Sequence, residues 1–154
     1  VSSIQLDKIL NYIQIAQEQG AQLQVGGHQI GTQGNYIQPT LFSHVNDDMQ
    51  IFQEEVFGPV LTLNKFSKHD GIESIAQRAN NSPYGLAAGI FTNDISKGSY
   101  LSKKIQAGMI FWNCYHVVDV AAPFGGFKES GIGREGGNYG LKPYLEVKMI
   151  TQKL

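Results

Sequence analysis

Apolar side chains near the start of the chain recur with helical spacing. Between residues 2 and 19 they lie three or four positions apart, at Leu6, Ile9, Leu10, Ile13 and Ala16. This spacing places them on one face of an amphipathic helix. Ser2 followed three positions later by Gln5 is a pair that suits a capping box, and Gly20 is a common helix end. The pattern therefore predicts a helix over residues 2–19.

Short apolar runs and amphipathic segments alternate along the next part of the chain. Strands are predicted over residues 23–25, 36–42, 60–66, 86–92 and 109–112, helices over residues 70–80 and 94–105, and a helical turn over residues 49–54. Asp70 with Glu73 suits the N-cap of the first of these helices, and Asn93 or Asp94 that of the second. Pro39 indicates an edge or irregular strand, because proline cannot donate to a strand ladder. The run 60–66 is apolar enough to predict a strand buried in a parallel sheet.

The alternation of strands and helices from residue 60 to residue 112 predicts an α/β fold with a doubly wound parallel sheet. Parallel neighbours need crossover helices, and those crossovers are right-handed. After Asn113 the alternation stops. Residues 118–140 are rich in glycine with little periodicity, and residues 144–153 have the composition of one terminal strand. An irregular stretch of this length is uncommon inside a domain unless it is functional or crosses to another module.

Composition and charge narrow the class of protein. The 154 residues, 42% of them hydrophobic, suffice for one ordinary domain with a core. Lys and Arg number 12 against 13 Asp and Glu, so no basic surface for nucleic acid or an anionic membrane is predicted. No apolar run approaches the roughly 18 residues of a membrane-spanning helix. The chain starts at Val1 and contains 18 glycines concentrated after residue 107, which favours a piece of a larger protein.

Cysteine and histidine offer little chemistry of their own. Cys114 is the single cysteine, so an intrachain disulfide is excluded and a reducing compartment such as the cytoplasm is favoured. The 4 histidines are scattered, with no helical pair and no cysteine at ligand spacing. No metal site is therefore predicted.

The block Gln-Glu-Glu-Val-Phe-Gly-Pro-Val, residues 53–60, carries the first functional signal. Adjacent carboxylates and an aromatic stand just ahead of an apolar strand. A carboxylate can accept two hydroxyls of a ribose, and an aromatic ring offers a flat surface to a planar ligand. The alternative from these residues alone is a solvated acidic turn.

A second block, at residues 113–135, favours a ligand site over a solvated turn at residues 53–60. It reads Asn-Cys-Tyr-His-Val-Val-Asp-Val-Ala-Ala-Pro-Phe-Gly-Gly-Phe-Lys-Glu-Ser-Gly-Ile-Gly-Arg-Glu. It occurs together with the 53–60 block, with Asn80-Asn81, with Tyr84-Gly85-Leu86, and with the pieces Gly26-Gly27 and Gln38-Pro39-Thr40. In this order the pieces resemble the aldehyde dehydrogenase superfamily from the first helix to the last strand. Each piece is weak evidence alone, and their ordered succession is strong.

The resemblance implies an NAD(P)-dependent oxidoreductase and suggests where its cofactor binds. Glu55 matches the family carboxylate that binds the nicotinamide-ribose hydroxyls, and Phe57 matches the aromatic beside the nicotinamide. Gln5 and Lys8 fall where the family meets the adenosine side of the cofactor. The alternative for Gln5 and Lys8 is a solvated helical face. Whether the cofactor is NAD or NADP is left open, because the residues that read the 2′-position are not in this sequence.

The resemblance also implies a substrate tunnel and an assembly. Val118 and Phe124 match positions that line the aldehyde tunnel, and an aliphatic side chain at 118 would reshape it. Phe124 could instead be an ordinary core aromatic. Arg134 and Glu146 flank the entry to the terminal strand, where an ion pair could fix that strand against a neighbouring subunit. Two solvated charges are the alternative.

The chain departs from the family in its catalytic groups. The cysteine nucleophile motif, the glutamate base motif and the oxyanion-holding asparagine are not found in these 154 residues, nor is the pattern of the cofactor domain. Cys114 closely follows an apolar strand, and a thiol in apolar surroundings is inert, so it is not predicted to replace the nucleophile. Glu54 and Glu55 are not predicted to be a catalytic acid–base pair.

The sequence is thus interpreted as the C-terminal part of an aldehyde dehydrogenase. Residues 1–129 would belong to the catalytic domain, residues 130–143 to a segment returning toward the cofactor domain, and residues 144–154 to an oligomerisation strand. Its predicted partners are the remainder of the polypeptide, further copies in a homo-oligomer and an aldehyde, in the cytoplasm or the mitochondrial matrix. Alone it would be catalytically silent. A non-catalytic oligomerising scaffold and a free-standing nucleotide-binding module are the alternatives.

Overall fold

The computed structural model describes residues 2–154 and contains α-helices, short strands and one 3₁₀ helix. The helices are α1 (Ser3–Glu18), α2 (Gln50–Gln53), α3 (Ile72–Asn80) and α4 (Ile95–Lys104). The strands are β1 (Gln22–Val25), β2 (Thr40–Ser43), β3 (Val60–Thr62), β4 (Tyr84–Gly85), β5 (Ala87–Ile90), β6 (Met109–Trp112) and β7 (Phe127–Lys128), and the 3₁₀ helix covers Gly137–Tyr144. The chain forms two compact units, the first ending at Asp70 and the second running from Gly71 to Leu154.

The first unit is built around α1. As predicted, Ser2 is the N-cap, and its hydroxyl accepts a hydrogen bond from the backbone N–H of Gln5 at 3.2 Å. The reciprocal half of a capping box is not formed, because the Gln5 side chain points to a loop far along the chain. The apolar stripe of α1 packs into a core whose buried members are Ile9, Ile13, Ala16, Ala21, Phe42, Val45, Met49 and Ile51.

The sheet of the first unit has the order β1–β2–β3. β1 and β2 are antiparallel, and β2 and β3 are parallel, with Thr40 opposite Val60. Of the two alternatives predicted at Pro39, the edge strand was wrong, because the ladder begins at Thr40 and β2 is the middle strand. The irregular strand was right, since Ile37 forms an isolated bridge with Gln29 and the chain is in no strand at residues 38–39. The prediction of a buried strand at 60–66 was wrong. β3 ends at Thr62 and is an edge strand of its sheet, with Leu61 61% exposed.

The second unit joins two short sheets to a pair of helices. β5 and β6 are parallel and are connected through α4, which confirms the predicted strand–helix–strand unit. β4 and β7 form an antiparallel pair. Asp94 caps α4 as predicted, accepting from Lys97 N at 3.1 Å. The predicted Asp70 cap was wrong: Gly71 is the N-cap of α3, and Asp70 accepts from Ser67 N at 2.7 Å.

The described residues thus have a mixed α/β fold in which the strands form three separate sheets rather than one doubly wound sheet. The predicted strand at 144–153 is not formed within residues 2–154, where Gly137–Tyr144 is a 3₁₀ helix and the following residues adopt no regular element. An apolar segment becomes a strand only when an edge is available to pair with it. In the part of the chain that the structure describes, no helix is both long and apolar enough to cross a membrane.

Candidate functional site

The acidic block forms one side of an open cleft in the first unit. α2 ends at Gln53, and the chain then turns through residues 54–59 before it enters β3. The cleft has a volume of about 290 Å³ and is lined by Ile51, Glu54, Glu55, Val56, Phe57, Gly58, Val60 and Thr62. The cleft therefore lies where an acidic loop meets the start of the parallel strand β3.

The two adjacent carboxylates of this cleft have different surroundings. Glu54 Oε2 accepts hydrogen bonds from the Tyr12 phenol at 2.5 Å and from Gln50 Nε2 at 3.0 Å. The bonds from Gln50 and Tyr12 lower the pKa of the Glu54 carboxyl below its usual value. Within residues 2–154 the exposed Glu55 side chain makes no hydrogen bond and no ion pair, so it is available to a ligand.

Phe57 presents its ring to solvent from a strained backbone. Its φ is +57°, in the left-handed region, and its side chain is 72% exposed. A bulky residue in that region costs on the order of 1 kcal/mol and persists only where neighbours hold it. Gln5 Nε2 donates to Val56 O at 3.3 Å and to Phe57 O at 3.0 Å. Gly58 lies so close to α1 that a Cβ there would be 2.5 Å from Ile9 Cδ1.

Gln5 and Phe57 also share a second cleft. It measures about 240 Å³ and is lined by Ser2, Gln5, Leu6, Ile9, Asn35, Tyr36, Ile37, Phe57, Gly58 and Pro59. Phe57 thus contributes to both clefts, with Glu55 in one and Gln5 in the other. Lys8 lines neither of these two clefts; its exposed ammonium lies 5.6 Å from the centre of the Tyr12 ring.

Val118 and Phe124 lie together in the second unit. They line an apolar cleft of about 370 Å³ with Gly108, Met109, Ile110, Phe111, Cys114, Val117, Asp119, Ala122 and Pro123. Val118 is 71% exposed and Phe124 is 44% exposed. Cys114 is half-buried in the same cleft.

A hairpin-like loop holds Phe124 at this cleft. Phe124 pairs with Glu135 through backbone hydrogen bonds of 2.8 and 2.7 Å. Arg134 Nη1 donates to Gly126 O at 2.9 Å and to Gly133 O at 2.6 Å, and its guanidinium lies 5.0 Å from the Phe127 ring centre. Arg134 is thus engaged within its own loop, and the structure does not place it in the expected ion pair with Glu146.

Two residues that shape these sites, Tyr12 and Gln50, were not found from sequence. Both donate to Glu54. Gln5 was predicted as a cofactor contact, but its hydrogen bonds to the carbonyls of the Phe57 loop were not foreseen. The only available signal was the amphipathic pattern of α1, which places Tyr12 and Ile9 on one face but does not name the loop they meet. The described residues contain no group of three or more His, Cys, Asp or Glu able to hold a metal ion.

The fold and these clefts define an α/β protein with an open acidic and aromatic site. A model of the aldehyde dehydrogenase family matches residues 1–150. The mitochondrial benzaldehyde dehydrogenase of Antirrhinum majus is 49% identical over 154 residues, covering 100% of this chain and 28% of that protein. The mitochondrial aldehyde dehydrogenase of Rattus norvegicus is 50% identical over 154 residues, covering 100% of this chain and 29% of that protein.

Solved structures show the same likeness. The NAD+ complex of an aldehyde dehydrogenase from Bacillus cereus superposes with a TM-score of 0.90 at 45% identity, covering 96% of this chain and 30% of that one. The chain therefore belongs to the aldehyde dehydrogenase family. It spans between 28% and 30% of the length of the curated relatives it matches.

Proposed function

We propose that this chain acts as the C-terminal part of an NAD(P)-dependent aldehyde dehydrogenase, which oxidises an aldehyde to a carboxylic acid. In this role it contributes contacts to the nicotinamide ribose and part of the wall of the aldehyde tunnel. The observation that carries the proposal is the exposed Phe57 ring, held in a strained conformation beside the unpartnered carboxylate of Glu55. Strained backbone of this kind clusters at ligand sites.

The residues of the first cleft fit the nicotinamide half of a dinucleotide. An ionised carboxylate accepts hydrogen bonds through two oxygens, so Glu55 can bind both hydroxyls of a ribose. The ring of Phe57 provides a flat apolar surface for the nicotinamide. The bound cofactor supplies the acceptor for hydride. Glu54 has a different task, because its Oε2 accepts from both Tyr12 and Gln50 and thereby keeps the loop in place.

The adenosine side of the cofactor is assigned to Gln5 and Lys8 on α1. The Gln5 side chain lines the second cleft, and the exposed Lys8 ammonium can attract a negatively charged or polar group. The B. cereus relative and a betaine aldehyde dehydrogenase from Staphylococcus aureus, which is 38% identical with a TM-score of 0.88, are both described as complexes with NAD+. These complexes support a nicotinamide dinucleotide as the cofactor of the intact enzyme, either NAD or NADP.

The aldehyde is assigned to the cleft of the second unit. Its lining is mostly apolar, which suits the carbon chain or ring of an aldehyde. Val118 and Phe124 provide part of that wall. Because Val118 is smaller than an aromatic, the tunnel at this point has room for a wider substrate.

The chain is proposed to assemble with the remainder of the polypeptide into the catalytic domain and the homo-oligomer of the enzyme. Residues 1–129 would join a doubly wound parallel sheet of the catalytic domain, residues 130–143 would return toward the cofactor domain, and residues 144–154 would pair as a strand in a homo-oligomer. Val147 is 99% exposed and Ile150 is 83% exposed, which supports a segment that another edge covers. The proposed location is the cytoplasm, or the mitochondrial matrix as the names of several relatives suggest.

Complementation tests this proposal. The 154-residue chain is mixed with the preceding part of an aldehyde dehydrogenase polypeptide, and NADH formation is followed with an aldehyde. We expect activity only in the mixture, and we expect Glu55→Gln to remove most of it, because an amide cannot accept both hydroxyls at full strength. Asp48→Asn, an exposed carboxylate away from the cleft, is the matched control. Assembly without activity would favour the scaffold instead.

A further inference from the structure

We propose that Gln5 is the positioning residue for Phe57. Its amide nitrogen holds the two peptide carbonyls on either side of the Phe57 Cα, so that the Phe57 ring stays at the wall between the two clefts. The inference rests on the proposed function, in which that ring lies beside the nicotinamide. Gln5 would thus orient the Phe57 ring without itself touching the reacting atoms.

The geometry uses the full donor capacity of one side-chain amide. Gln5 Nε2 lies 3.3 Å from Val56 O and 3.0 Å from Phe57 O. An amide nitrogen carries two N–H donors, and the two carbonyls take one each. Gln5 is itself held on a capped helix, whose neighbouring residues Leu6 and Ile9 are buried. A rigid helix is thereby linked to a loop 51 and 52 residues further along the chain.

Phe57 needs such a restraint because its own contacts cannot supply one. The ring is 72% exposed, so packing does not hold it, and its φ of +57° is unfavourable for a bulky side chain. If the carbonyls on either side were released, the peptide could relax toward negative φ. That rotation would swing the ring out of the wall that both clefts share.

Positioning and direct ligand contact use different atoms of Gln5. Positioning requires the Nε2 donors, whereas a ribose hydroxyl would donate to Oε1, which makes no hydrogen bond within residues 2–154. Gln5→Glu removes the donors and keeps acceptor oxygens. Gln5→Met is of similar length and shape and removes both. The two variants therefore separate the two roles.

Hydrogen exchange of the 154-residue chain tests positioning without any cofactor. The reporter is the segment Val56–Val60, in which the Val60 N–H donates to Gly58 O at 2.8 Å. We expect exchange of this segment to accelerate roughly tenfold in both variants, as for the loss of one or two hydrogen bonds. Gln17→Glu and Gln17→Met, at an exposed position of the same helix, are the matched controls. Unchanged exchange in both Gln5 variants would overturn the proposal.

Relief of backbone strain provides a second test. Glycine adopts φ near +57° without a steric penalty, so a chain with Phe57→Gly should need Gln5 less. We expect Gln5→Met to accelerate exchange several-fold less in that background than in the native one. Equal acceleration in both backgrounds would show that Gln5 acts on the segment generally and not on the conformation of Phe57.

Kinetics of the complemented enzyme then distinguish positioning from ligand contact. We expect both Gln5 variants to lower kcat several-fold. In Gln5→Glu, which keeps acceptor oxygens for the adenosine side, we expect the Kd of ADP-ribose, which lacks nicotinamide, to stay within about twofold. If Gln5→Glu retained ADP-ribose affinity and native kcat while Gln5→Met lost both, Oε1 contact would account for Gln5 and positioning would be overturned. Faster exchange without any kinetic change would leave the positioning intact and contradict the proposed nicotinamide site.

Discussion

The phenol of Tyr12 donates a hydrogen bond of 2.5 Å to Glu54 Oε2, and this contact joins α1 to the acidic loop. Gln50 adds a second donor to the same oxygen at 3.0 Å. The neighbouring Glu55 has no such partner within residues 2–154. One carboxylate of the pair therefore stabilises the loop, and the other is left for a ligand.

Removal of the Tyr12 hydroxyl should make the loop less sensitive to acid. The Glu54 pKa is lowered in the folded chain, so its contribution to stability is present above the ordinary glutamate pKa and is lost as the pH falls through the lower folded value. In Tyr12→Phe we expect the Glu54 pKa to rise toward its ordinary value and the free energy of unfolding to change less between neutral and acid pH. NMR titration of the carboxyl and denaturation at several pH values measure both. Tyr36→Phe, at an exposed tyrosine, is the control; an unchanged Glu54 pKa in Tyr12→Phe would contradict the assignment.

Gly98 allows α4 to pack directly on the indole of Trp112. A Cβ at position 98 would overlap Trp112 Cζ2, Cε2 and Cη2, and the two residues stand on elements of the same unit. We expect Gly98→Ala to destabilise the unit by roughly 1–3 kcal/mol through overpacking. This loss should exceed the gain of about 1 kcal/mol that alanine brings to a helix interior.

The single tryptophan makes this measurement direct. Trp112 fluorescence during urea unfolding reports the second unit, and Ser96→Ala at an exposed position of α4 is the control. A Gly98→Ala chain more stable than the native one would show that helix propensity outweighs the packing contact.

Asn80 ties the ends of α3 and α4 together. Its Nδ2 donates to Lys104 O at 2.8 Å, and its Oδ1 accepts from Gln106 N at 2.7 Å. Asn80→Ala removes both bonds, and we expect a loss of about 1–2 kcal/mol of unfolding free energy at roughly 1 kcal/mol per bond. Asn81→Ala is the neighbouring control, since the Asn81 contact at the end of α3 uses only its backbone. Equal effects of the two substitutions would contradict the role given to the Asn80 side chain.

The size of residue 118 should select among aldehydes in the complemented enzyme. Val118→Phe places a ring in the cleft that also contains Phe124, so we expect kcat/KM for a bulky aromatic aldehyde to fall about tenfold or more relative to acetaldehyde. Val120→Phe is the matched control, because Val120 is 93% exposed and does not line the cleft. A parallel loss with both aldehydes would indicate a folding defect and not selection by the tunnel.

Local patterns predicted those elements whose signals lie within one turn or one strand. The caps at Ser2 and Asp94 were found from sequence, as was the strand Met109–Trp112, because each depends on residues close together in the chain. The prediction of a cap at Asp70 was wrong for a reason that is also local. A second local partner, the Ser67 N–H, competed for its carboxylate.

Sequence alone also determined the family, since an ordered set of short motifs over the whole chain is specific even when each motif is weak. It could not decide which apolar run is buried or which strand lies at an edge. β2 became the middle strand and β3 an edge strand, because burial depends on what packs across the sheet and not on the run itself. Only the tertiary structure separated Glu54 from Glu55 and linked Gln5 to Phe57, since hydrogen bonds between residues 42 to 52 positions apart leave no periodic signal in the chain.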